Sequence, residues 1–112
     1  MTHFSLEEID TEISRLLTIR KQILSERFED MRSRAQMLSD IIVKAATLTH
    51  PNDTASYIQH FVMPWRHFIP EDHFPATFDM LNQPFMHLPT LAAALRQDRE
   101  TLDECVRVLE SS

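Results

Sequence analysis

The sequence contains no glycine. Glycine takes positive φ angles most readily, so tight hairpins and phosphate-cradling loops lose their usual material. Gly-rich nucleotide loops are thereby excluded. Proline is missing from the first 50 residues, and all six prolines lie at Pro51 or beyond. Cysteine occurs once, at Cys105, so no disulfide can close within the chain. A reducing compartment, the cytoplasm, is expected. No run approaches the roughly 18 apolar residues of a membrane span, and no basic stretch followed by an apolar one marks a signal peptide. Positive charge is also scarce, with 11 Lys and Arg against 17 Asp and Glu and a formal net charge of −6. An acidic chain is repelled by a nucleic-acid backbone, so direct DNA or RNA binding is not expected. The candidate basic patch, Arg15, Arg20, Lys21, Arg27, Arg32 and Arg34, is interrupted by Glu26, Glu29 and Asp30. It reads as a salt-bridged, solvated helix face.

What the chain does have is a stretch from Ser5 to His50 free of both helix breakers. Its apolar residues run Leu6, Ile9, Ile13, Leu16 and Leu17, then Leu24, Phe28, Met31, Ala35, Leu38, Ile42 and Ala45. The second series steps alternately by four and three, the spacing of a helix lying along another helix. One long helix is expected over most of this stretch, with Ser39-Asp40 as the candidate break. Ser5 caps its start, Glu8 completes a Ser-x-x-Glu box, and Phe4 is placed to staple onto Ile9. Uninterrupted, it would be roughly 65 Å long, far more than a compact domain with a radius of gyration near 13 Å can cover. Part of its apolar face is therefore expected to meet another molecule.

Thr47 to Thr54 reads as a loop, with Asn52, Asp53 or Thr54 capping the next helix. That short second helix is expected to carry Tyr57, Ile58, Phe61 and Val62 on one face and to end at Pro64. Residues 63–89 are dense in proline, aromatics and methionine, which limits them to short helical turns, chiefly around 75–82. A final helix is expected from Pro89, with Leu88, Ala92, Leu95, Leu102, Val106 and Leu109 on its apolar face and Arg99 as the polar member. The fold class is all-α and the chain one domain: a long helix over 1–50, short helices and Pro-rich loops over 51–89, and a C-terminal helix over 90–112, the bundle completed by dimerisation.

The candidate chemistry is thin. His60-Phe61, His67-Phe68 and His73-Phe74 form three His-Phe pairs near Glu71 and Asp72, but their spacing across prolines matches no metal-ligand pattern. No metal or cofactor is expected. Cys105 sits in an apolar repeat and reads as a small buried hydrophobe, not a nucleophile. Glu7, Glu8, Asp10 and Glu12 sit in the first helical turns, where acids favour the dipole.

Ile9-Asp10, Ile13, Leu16-Leu17 and Arg20 resemble the first-helix pattern of the AroQ-class chorismate mutases, all-helical intertwined dimers with one long helix and two shorter ones. The resemblance covers about the first quarter of the chain and implies an active-site role for Arg20. The sequence departs from the family where it places two further cations: its earlier arginine falls on His3 and its lysine on Met31. Stabilising the spread negative charge of that pericyclic transition state needs those cations. An enzyme of this kind is the alternative reading, and the architecture is the more useful analogy.

The expectation is therefore a non-catalytic regulator that works by protein contact, of the anti-activator or adaptor type. Its partner would be another protein, such as a transcriptional regulator, and the chain would form a homodimer. Ile13, Leu16, Leu17, Arg20, Leu24, Phe28, Met31 and Leu38 are the expected partner-binding residues on the long helix. Trp65, in the aromatic segment, is the expected anchor outside it.

Overall fold

A computed structural model describes residues 5–84 and 86–111. Among them are four α-helices and no strand: α1 (Leu6–Thr47), α2 (Pro51–Tyr57), α3 (Pro75–Leu81) and α4 (Leu88–Ser111). α1 runs through Ser39-Asp40 without a break. Both residues tolerate a helix interior, and the core contacts of Leu38 and Ile42 on either side hold the segment in place. The Ser5 hydroxyl accepts a hydrogen bond from the Glu8 backbone N–H at 3.1 Å, as the capping pattern predicts. The Phe4 staple lies outside the described residues, as does His3.

Helix α1 ends where Leu48 turns extended ahead of His50-Pro51. The cap of α2 is His50, not one of the three residues after the proline. Its Nδ1 accepts from the Asn52 N–H at 3.2 Å, and Pro51 takes the first helical position. At that position the missing proline N–H has no helical acceptor to lose. Pro64 does not stop the helical path either. α2 widens into one π-helical turn (Ile58–Val62), in which the Met63 N–H reaches the Ile58 carbonyl, and then tightens into a 3-10 turn (Met63–His67). Pro64 falls at the start of the 3-10 turn, where its missing N–H costs little, so the chain passes it without breaking the helical path.

The core lies between the second half of α1 and the layer formed by α3, α4 and the 58–69 segment. Met31, Ala35, Leu38, Ile42 and Ala45 meet Val62, Ile69, Phe74, Leu81, Leu91, Leu95 and Leu102 there. Three of the residues expected on α4's apolar face, Leu95, Leu102 and Val106, are buried, but so are Leu91, Ala94 and Asp98. Two longer-range ion pairs fasten the layers: Arg32 to Asp103 at 2.9 Å and Arg27 to Asp72 at 3.1 Å. Arg15 and Arg34 pair along the helix with Glu12 and Asp30, as a salt-bridged helix face predicts, whereas Arg27 and Arg32 reach across the fold.

The molecule is elongated. Its radius of gyration is 20.0 Å and its extents are 73 × 27 × 16 Å, against about 13 Å for a compact domain of similar length. The excess comes from α1, whose first half has no layer to pack on.

Candidate protein-contact surface

From Ser5 to Arg20 every residue is exposed. At about 1.5 Å per residue this stretch projects on the order of 20 Å beyond the packed body. Burial begins only at Lys21 and Leu24, where the end of α4 comes alongside. The apolar stripe itself does not stop there. Leu6, Ile9, Ile13, Leu16, Leu17 and Ile23 continue the face that farther along holds Met31, Ala35 and Leu38, because a helical period of 3.6 keeps both series on one side. One half of the stripe is core and the other half faces water. Ile13, Leu16 and Leu17 are 50%, 52% and 58% exposed.

The arm keeps its helix through local bonds. The Arg15 guanidinium grips the Glu12 carboxylate through Nε and Nη2, the latter at 2.5 Å. This hydrogen bond, more than the charge itself, holds the Glu12 carboxyl below its ordinary value and raises Arg15. Thr11 and Thr18 hydroxyls donate to the carbonyls of Glu7 and Ser14, four residues back.

The expected partner-binding residues divide by position along α1. Ile13, Leu16, Leu17 and Arg20 stand exposed on the arm, and Leu24 and Phe28 are half-buried at its base. Met31 and Leu38 must be removed from the set. They are 6% and 0% exposed, and they belong to the protein's own core. Periodicity shows which residues share a face, and only the placement of α4 shows how far that face is covered. Trp65 is half-buried on the body's edge.

Around Trp65 lies a second apolar surface. Met37 and Ile41 of α1 face Phe61, Trp65 and Phe68 across a groove of about 580 Å³. The Arg34 guanidinium forms its rim, donating to the Phe68 carbonyl at 2.6 Å and pairing with Asp30 at 3.1 Å. Trp65 and Phe68 meet edge to face with ring centres 5.9 Å apart. Phe61 packs on Tyr57 at 4.7 Å. Of the four residues expected on one face of this segment, Val62 is buried, Tyr57 and Ile58 are half-buried and Phe61 is exposed. The aromatic segment therefore splits: Phe74 and Ile69 are core, while Phe61 and Phe68 are surface. Phe85 lies outside the described residues.

The remaining sequence candidates come to little chemistry. Cys105 is exposed, contrary to the expectation of burial. It lies on the rim of a shallow depression shared with Arg20, Leu24 and Phe28. His73 packs edge-on against Phe28, with its Nε2 3.8 Å from Asp72. Among the described residues no three His, Cys, Asp or Glu side chains converge as metal ligands. Arg20 stands on the open arm, and Met31, the position of the mutase lysine, is enclosed in the core.

Sequence reading missed Asp98, which is only 2% exposed. Its carboxylate accepts from the Thr77 N–H at 2.7 Å, the Thr77 hydroxyl at 2.6 Å and the Ala76 N–H at 3.4 Å. It caps α3 from a neighbouring helix, where the N-cap residue Phe74 offers no acceptor. The one sequence signal was its position, three residues after Leu95 and four before Leu102 on the buried face.

Among the described residues no helix is long and apolar enough to cross a membrane. Compared with known proteins, the chain matches no family model, no curated protein and no solved structure.

Proposed function

We propose that this protein is a small regulator that acts by protein–protein contact, without catalysis, in the cytoplasm. The observation that carries the reading is the apolar face of α1, which leaves the core and continues exposed along the arm. A contiguous apolar face of this kind on a folded domain marks a surface meant to be covered. The groove around Trp65 adds aromatic and methionine side chains, the residue types enriched at interface centres. Its partner is a protein such as a transcriptional regulator, whose own apolar interface the regulator would occupy. The net charge of −6 favours a basic partner and speeds its approach. The chain also pairs with itself.

Affinity capture from native lysate, with wild-type and Leu17→Asp proteins as baits, tests this reading. A partner retained by wild type and lost with Leu17→Asp is the expected result, because the aspartate would be buried unpaired in the interface. Identical captures with both baits would remove α1 from the contact and overturn the reading.

A further inference from the structure

The charges of the arm are segregated. Residues 5–14 carry Glu7, Glu8, Asp10 and Glu12 and no base, while residues 15–24 carry Arg15, Arg20 and Lys21 and no acid. The helix dipole favours acids in the first turn, but its effect fades beyond it and does not account for the change of sign halfway along.

We propose that the arm pairs antiparallel with the arm of a second copy of this chain, about a two-fold axis near residues 14 and 15. The proposal rests on the reading of α1 as a contact surface and names what covers it. Antiparallel pairing sets the acidic half of each arm against the basic half of the other. Parallel pairing would lay four carboxylates against four, so the charges select the orientation. With the axis at that point, Ile13 of one copy lies across from Leu16 of the other, and Leu6 across from Ile23. Arg20, the charged residue within the stripe, falls across from Ile9 and beside Asp10, which supplies its counter-charge.

The area suffices. Leu6, Ile9, Ile13, Leu16, Leu17, Ile19 and Ile23 are each at least 40% exposed. Together they leave on the order of 600 Å² of apolar surface per arm, so pairing would cover about 1,200 Å², the lower end of specific interfaces. A two-fold contact of this kind closes on itself and stops at the dimer. The groove around Trp65 lies on the body and stays open in such a pair, whereas a different protein that takes the arm competes with the second copy for it.

The test is sedimentation equilibrium of the full chain, with cysteine cross-linking in a Cys105→Ser background. A dimer is expected, weakened about tenfold or more by Asp10→Arg or Arg20→Asp alone and largely recovered when both are exchanged in one chain. Mixed Leu6→Cys and Ile23→Cys chains should cross-link to each other faster than Leu6→Cys chains cross-link among themselves. A chain that stays monomeric into the hundreds of micromolar, or one that cross-links preferentially through Leu6 to Leu6, overturns the proposal. A monomer that still captures another protein, and loses it with Leu17→Asp, overturns self-pairing alone and leaves the contact reading standing.

Discussion

At α3 the first-turn amides have no acceptor from their own N-cap, and the Asp98 carboxylate on α4 supplies it. Three hydrogen bonds end on one buried carboxylate, so its removal strands the Thr77 N–H, the Thr77 hydroxyl and the Ala76 N–H together. Asp98→Ala is expected to lower stability by about 2–4 kcal/mol, read by urea unfolding with Trp65 fluorescence. Asp98→Asn keeps one carbonyl oxygen and should lose less. A second residue-scale outcome concerns Glu12, whose pKa the Arg15 hydrogen bond pulls below its ordinary value. A depressed carboxyl pKa contributes helix stability above its unfolded value, and that contribution disappears as pH falls through the folded one. An NMR titration should place the Glu12 midpoint below that of an unpaired glutamate, and Arg15→Gln should raise it. A midpoint unmoved by Arg15→Gln would show that the pair does not persist in solution.

At the scale of the element, α1 is one helix with two physical regimes. From Met31 to Ala45 its stripe is core, and from Leu6 to Ile23 the same stripe is solvated. Equal substitutions should therefore have unequal consequences. Leu38→Ala opens a cavity among α1, α3 and α4 and should cost about 2.7–5 kcal/mol. Leu17→Ala touches no core residue and should shift stability by roughly 0.5 kcal/mol or less. Chemical denaturation of both variants in protein dilute enough to be monomeric checks the contrast, and equal losses there would mean that the arm packs on the body. Hydrogen exchange obeys the same division. Arm amides should exchange quickly in dilute protein, since an isolated helix of this length is marginal. If two arms pair, their protection rises with concentration while that of residues 31–45 stays constant.

At the scale of the whole molecule, shape is the consequence. Body and arm together give a radius of gyration of 20.0 Å. Leu17→Asp, with the proposed association removed, should return that value by small-angle scattering, and wild type a larger one if two arms pair. A value near 13 Å for the variant would mean that the arm folds back. If the arm docks as proposed, charge would set approach and orientation and apolar contact would set lifetime.

The all-α fold, the extent of α1, its Ser5 cap, α3 and the start of α4 were legible in the sequence, because each depends on local physics: periodicity, capping hydrogen bonds and the conformational limits of proline. The absence of glycine and of early proline left α1 nowhere to turn. What local physics could not specify was which half of a uniform apolar stripe is covered. Met31 and Leu38 look like Ile13 and Leu17 along the chain, and only the position of α4 separates core from arm. Nor could it place Asp98 or Cys105, one buried and one exposed on the same helix. Burial depends on the neighbouring helices, and tertiary packing alone brings the first turn of α3 to the Asp98 carboxylate.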